Sequence, residues 1–379
     1  MKLKGQSRGL ALLAFAGNVR RAETKSQTAQ GSSRSARVSF VCLREYRFRR
    51  GWTMRQFVTF AMLSGMLSAS AICVAQQEAP MASHGGSIRV LLLDGQSAGP
   101  YHNWKIATQV MRAELEETGL FQVTVMTAPA SDGDFSNFNP KLSDYQVIVL
   151  NYDGPTWPEA LRADFEKFVS SGGGLVVVHA ADNAFPDWPE FNQMIGMGGW
   201  RNRTEAAGPM WYFKDGKLVS DPTPGRAGSH GARLPFQVVT RKADHPILRG
   251  LPAAWMHAPD ELYATLRGPG KNMTVLATAH SDPKNKGTGH DEPMLMVLSY
   301  GSGRVFHTTL GHDAAALSCV GFMTTFQRGV EWAATGKVTQ SVPANFPTAD
   351  SVSFRVDLAA IDPAYLNGAS SPVIVQPAQ

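Results

Sequence analysis

The chain has 379 residues, 43% of them hydrophobic and 18% charged, which is ample for one large domain with a real core. Its net charge of +5 misleads: residues 1–53 hold 12 of the 36 Lys and Arg against Glu23 and Glu45 alone, so the remainder carries −5. Nucleic acid is set aside as a partner, because the basic surplus sits in a segment ahead of the predicted fold.

Residues 1–53 are rich in Ser and Arg without sustained periodicity and read as a non-native or disordered extension. Met54-Arg55-Gln56, the apolar stretch 57–72 and Cys73-Val74-Ala75 then form a secretory signal peptide over 54–75. A secreted or periplasmic protein is expected, meeting the membrane only through this segment. Cys42 and Cys73 precede the cleavage point, so Cys319 remains alone and no disulfide framework is possible.

After a polar linker over 76–87, residues 88–94 read as a buried strand and 104–117 as a helix ending at Gly119. Strands follow over 121–126 and 145–150. An amphipathic helix spans 158–171, with Leu161, Phe165 and Phe168 on one face. The run Gly172-Gly173-Gly174-Leu175-Val176-Val177-Val178 is apolar throughout, as a central strand buried on both faces must be, and ends in His179. This alternation predicts an α/β fold with a mostly parallel sheet and helices on both faces. From 185 to 233 no period is visible, and a long irregular segment inside a domain is usually functional. Strands at 235–240, 273–279, 293–300 and 303–310, linked by tight turns, add antiparallel pairs in the second half. A closing helix covers 314–335, and the tail 337–379 shows no domain.

Ligands of open α/β sheets bind beyond the carboxyl ends of the strands, which points to His179, to Asp94 at the end of the first strand, and to Asp182 and Asn183. Helix or turn capping is the competing role for these three polar residues.

Several segments together resemble the ThuA-like (trehalose utilisation) family of the class I glutamine amidotransferase-like superfamily over 88–336. They are Leu93-Asp94-Gly95, Tyr101-His102-Asn103-Trp104, the run 172–185, Asp244-His245-Pro246-Ile247, Gly250-Leu251-Pro252, Asp260-Glu261-Leu262-Tyr263, and 300–306 running into Leu310-Gly311-His312-Asp313. The resemblance implies a flavodoxin-like three-layer sandwich and a role in carbohydrate utilisation. In the superfamily the strand occupied here by 175–178 ends in a nucleophilic Cys, and a late strand supplies a His-acid pair. Here His179 stands at the first position and His312-Asp313 at the second. Imidazole is a general base or metal ligand rather than an acyl carrier, so glutamine hydrolysis through a thioester is not expected.

The catalytic candidates are accordingly His179 and His312 as the proton-handling pair with Asp313 as orienter. Around them, Asp94, His102, Asn103, Trp104, Asp182, Asn183, Trp188, Glu261 and Tyr263 form the candidate substrate pocket, aromatic rings suiting sugar faces and polar groups their hydroxyls. Core packing competes for the aromatics, Trp200, Trp211 and Tyr212 among them. Asp260 and Glu261, adjacent on an extended segment, face opposite ways, so at most one enters a common pocket; His230 and His257 read as loop residues. No close-spaced His or Cys pair marks a metal, yet His102, His179 and His312 are the ligands if a divalent ion such as Zn is bound. Gly95-Gln96-Ser97-Ala98-Gly99 has the form of a serine-hydrolase elbow but follows the first strand, too early in the chain. The expected partner is a small-molecule carbohydrate, with self-association left open. The expected role is a sugar- or keto-sugar-processing enzyme using His/Asp acid-base chemistry. The alternatives are a non-catalytic carbohydrate-binding protein and a metal-dependent hydrolase.

Overall fold

The computed structural model describes residues 86–96 and 99–355. The expected extension, the signal peptide, most of the linker, Ser97 and the end of the tail lie outside these residues. Strand β1 (Ile88–Gly95) is followed by α1 (Trp104–Glu116), β2 (Phe121–Thr127), β3 (Val147–Tyr152), α2 (Glu159–Ser170) and β4 (Gly174–Val178). Next come α3 (Pro189–Ile195), β5 (Met210–Lys214), β6 (Lys217–Asp221), β7 (Leu234–Thr240), β8 (Ala254–Asp260) and β9 (Thr274–His280). The chain closes with β10 (Asp291–Tyr300), β11 (Gly303–Thr308), α4 (Ala314–Leu317) and α5 (Val320–Thr335).

The strands form one sheet with the main order β2-β1-β3-β4-β11-β10-β9-β7-β8. Pairings from β2 to β11 are parallel, and from β11 onward antiparallel. The sheet is therefore mixed rather than mostly parallel, because the second-half strands extend the edge of the same sheet instead of forming a separate layer. Alternate residues of β1 feed the two faces. Val90 and Leu92 pack with Val110, Met111, Phe322 and Phe326 from α1 and α5. Leu91 and Leu93 pack with Phe165 of α2 and Phe191 of α3. Gly174 and Gly329 let α5 approach closely, since a Cβ would meet the Ala333 backbone at the first and the Phe306 ring at the second.

Two expectations fail locally. The closing helix is interrupted at Ser318-Cys319, where the tail runs alongside: Val320 N donates to Ser353 O and Arg355 N to Ser318 O. The tail itself packs Val338, Val342, Phe346, Val352 and Phe354 on the core, and Thr348 O accepts from Met256 N of β8. It is thus a strap tied to β8 and α5. His257 is no loop residue but a fully buried member of β8.

Candidate active site

Strand ends deliver the site. At the end of β4, His179 turns the chain with a φ of 47°. A left-handed backbone costs a side-chain-bearing residue roughly 1–2 kcal/mol, a strain that concentrates at functional positions. Its buried Nδ1 donates to Thr309 O at 2.7 Å, so neutral His179 presents the Nε2 lone pair. That atom is buried without a hydrogen-bond partner and lies 3.8 Å from Glu261 Oε2. Beyond β11, Gly311 at φ 116° swings the chain so that His312 faces the same carboxylate, with Nδ1 3.0 Å from Oε2. This contact lacks the alignment of a hydrogen bond. His102, after β1, completes the group. Its ring lies 5.1 Å from His179 and 4.6 Å from His312, centre to centre, and these two are 5.5 Å apart. One ligating atom from each of His102, His179, Glu261 and His312 falls within 4.8 Å of the others, a group among the described residues that could hold a metal ion.

Glu261 and His312 come from strands far apart in the sheet, and Asp260 joins them. Its buried carboxylate takes four N–H donors: Gly311 N at 2.8 Å and His257 Nε2 at 2.8 Å on Oδ2, Glu261 N at 2.8 Å and His312 N at 3.1 Å on Oδ1. The antiparallel half therefore curls until the end of β8 meets the loop after β11. Sequence reasoning gave Asp260 no such role, because nothing local signals that contact.

Above the cluster opens a cavity of about 620 Å³ whose lining includes Tyr101, Asp153, Asn183, Trp200, Arg201 and His230, besides His102, Glu261 and Tyr263. Trp200, Arg201 and Asn202 are consecutively left-handed, with φ of 48°, 46° and 62°. This turn lays Arg201 Nη2 2.8 Å from Asp153 Oδ1 and packs Trp200 against Tyr263, ring centres 4.5 Å apart. Tyr263 covers His179 at 4.1 Å. His230 Nε2 stands 3.6 Å from Glu261 Oε1, and its Nδ1 donates to Gly231 O at 2.8 Å.

The remaining sequence candidates are spread more widely. Asn183 is buried in the cavity wall, and its side-chain oxygen has no hydrogen-bond partner. Asp94 is buried at the end of β1, accepting from Thr108 Oγ1 at 2.6 Å, and Asn103 caps α1 through Ile106 N. Trp104 is half-buried at the start of that helix. Asp182 is buried 3.4 Å from His307 Nε2. Trp188 belongs to the core rather than the cavity, stacked on Phe191 and bonded to Glu166. Asp313 caps α4 through Ala316 N and pairs with Arg233 Nη1 at 2.9 Å; the acid standing between His179 and His312 is Glu261. Cys319 is buried at the N-terminus of α5.

Burial alone would raise the Glu261 pKa, but the His179 and His312 imidazoles outweigh it and hold the carboxyl well below its ordinary range. Conversely, burial would lower the His179 pKa, and Glu261 and Asp260 reverse the sign. Asp153 is pushed up to about 6 by burial in spite of Arg201. The Tyr263 phenol is pushed far up by burial, helped by Asp182, Glu261 and Asp260, and stays protonated.

The ThuA family, described as trehalose utilisation, matches residues 89–333. A crystal structure of a ThuA-like protein from Parabacteroides merdae is 45% identical, covering 72% of this chain and 99% of that one with a TM-score of 0.70. A ThuA-like protein from Bacteroides uniformis is 21% identical, covering 69% of this chain and 97% of that one at a TM-score of 0.47. No curated protein matches. With most of the domain matched, and a relative of such identity covered almost end to end, the chain belongs to the ThuA family.

Proposed function

We propose that this chain is an exported enzyme of carbohydrate utilisation, acting on a sugar or oxidised keto-sugar by proton transfer between imidazole and carboxylate groups. One observation carries the reading: buried His179 and His312 converge on Glu261, which together with His102 lines the cavity. A cavity of about 620 Å³ lies within the range of small-ligand sites. Trp200 and exposed Tyr101 offer faces for a pyranose ring, and Asp153, Arg201 and Asn183 offer partners for its hydroxyls. His179, made more basic by Glu261 and Asp260, can accept a proton from a hydroxyl or from a carbon beside a ketone and later return it, while the ionised Glu261 stabilises the imidazolium.

Glutamine amidotransfer does not fit these residues. The strand end that would need a thiol carries His179, and Cys319 is buried elsewhere. The flavodoxin-like, amidotransferase-like descent of the scaffold is supported by the strand order β2-β1-β3-β4-β11 and by the strained turn at His179. Export is supported by segment 54–75 of the sequence.

The test is turnover of a panel of neutral disaccharides and their oxidised keto derivatives. His179→Ala and His312→Ala should each reduce kcat/KM by about 100-fold or more. Unchanged turnover in either variant would sink the proposal, and saturable sugar binding without product in the wild type would leave a binding protein instead.

A further inference from the structure

We propose that His102, His179, His312 and Glu261 form the coordination sphere of one divalent first-row transition ion, zinc or a close relative. The inference rests on the site and substrate class of the carbohydrate reading but gives His179 and His312 to an ion and moves proton transfer to His230, and it can be tested without any sugar.

Four observations point the same way. First, His179 is 2% exposed and its Nε2 has no hydrogen-bond partner; such a buried atom costs about 1–3 kcal/mol unless something fills the space in front of it. Second, Nδ1 of the same ring donates to Thr309 O, the outer-sphere bond that fixes the tautomer and aim of a ligating histidine. Third, the three imidazoles meet edge-on, with interplanar angles of 70°, 64° and 80°. They lie edge to face rather than stacked. Fourth, the spacing suits the ion. Bonds of 2.0–2.1 Å in a tetrahedron put neighbouring ligand atoms about 3.3 Å apart. Glu261 Oε2 lies 3.0 Å from His312 Nδ1 and 3.8 Å from His179 Nε2, bracketing that edge, and the whole set falls within 4.8 Å, so its widest pairs close in when the ion binds. The first of these contacts is close without being aligned as a hydrogen bond, as expected of two lone pairs directed at a third body.

The donor set fixes the class of ion. Imidazole favours Zn, Cu, Fe and Ni, and one carboxylate among three imidazoles disfavours the all-oxygen spheres of Ca²⁺ and Mg²⁺. A cation here would polarise a sugar hydroxyl or carbonyl oxygen entering from the cavity. The three ligating imidazoles would then have no lone pair for proton transfer. That task falls to His230, whose Nδ1 is committed to Gly231 O and whose Nε2 faces the site at the rim.

The experiment is metal titration of the chelator-treated, refolding-checked protein with Zn²⁺ and Co²⁺, followed by calorimetry and by visible absorption of the cobalt form. One equivalent should bind, with the intense cobalt bands of a low-symmetry nitrogen-rich site. His179→Ala and the shape-preserving Glu261→Gln should weaken binding tenfold or more, while His230→Ala leaves stoichiometry and affinity unchanged but lowers sugar turnover. The absence of a stoichiometric site for either ion in folded wild type, or full activity of the metal-free protein, would overturn the proposal. Tight metal binding with no turnover of any sugar would leave it standing and overturn the carbohydrate reading alone.

Discussion

Replacing Asp260 by Asn tests whether one buried carboxylate joins the two halves of the site. The carboxylate takes two N–H donors on each oxygen. An amide retains one accepting oxygen, so two donors keep a partner and the new NH₂ group confronts the other two. Hydrogen bonds to a charged acceptor contribute about 1.5–3 kcal/mol each, so the loss comes to about 3–6 kcal/mol, a large fraction of the stability of a typical domain. Burial opposes ionisation of Asp260, but His257 and the Gly311 amide hold its pKa low. In turn burial disfavours charged His257, while Cys319 and Asp260 push its pKa up to about 10. The variant therefore also leaves a buried imidazolium short of its counterion. Urea unfolding should show a midpoint lower by about 1–2 M for a slope near ~3 kcal/mol/M, with that slope unchanged. The same substitution in a His257→Gln background should cost at least ~1.5 kcal/mol less. A loss below about 1 kcal/mol for Asp260→Asn alone would refute the clamp.

Other expectations concern different parts of the fold. Glu292 is buried, and burial pushes its pKa up to about 7, with the Thr288 hydroxyl at 2.7 Å offsetting only part of the shift. The folded state keeps this proton after the unfolded chain releases it near pH 4.5. Its contribution thus favours folding at low pH and is lost as pH rises through this window, by ~3 kcal/mol in all. Glu292→Gln should flatten that slope between pH 5 and pH 8 in urea titrations; an unchanged slope would discount the buried carboxyl. At Gly329 a Cβ would overlap the Phe306 ring, so Gly329→Ala should cost about 1–3 kcal/mol and lower Tm by several degrees; calorimetry showing no loss would mean that α5 can slide on β11.

What could be read in advance follows from what is local. β1 and β4 announce themselves because a strand buried on both faces has to be apolar through its buried stretch, Val90 to Leu93 in β1 and Leu175 to Val178 in β4, and helices α1 and α2 do so through one apolar stripe each. His102, His179 and His312 were accessible to the same reasoning, since each follows a strand whose carboxyl end must border the crevice. β8 escaped notice because Trp255-Met256-His257-Ala258-Pro259-Asp260 buries a histidine and an acid and so shows no apolar alternation. The β5–β6 hairpin did carry a signal, Asp215-Gly216, left-handed at both residues as the tightest hairpin turns require. The pairing of Glu261 with His179 and His312 had no such signal. It depends on the curl of the antiparallel half, a property of the whole sheet that no window of sequence contains. The same limit explains Asp313 and Trp188, whose types suit a site but whose neighbours in space make one a helix cap and the other core.

The strap over 337–355 separates two ideas of where a domain stops. The segment matching the family description finishes at residue 333, but Thr348 and Ser353 give backbone acceptors to β8 and α5, and Phe346 packs against Trp255. Cutting at 336 would strip apolar cover from the back of β8, behind the segment that carries His257, Asp260 and Glu261. Such a shortened protein should express poorly or aggregate although every recognised site residue is present, and recovery should require extension at least to Arg355. The segment that matches the family description and the folding unit of this chain are not the same length.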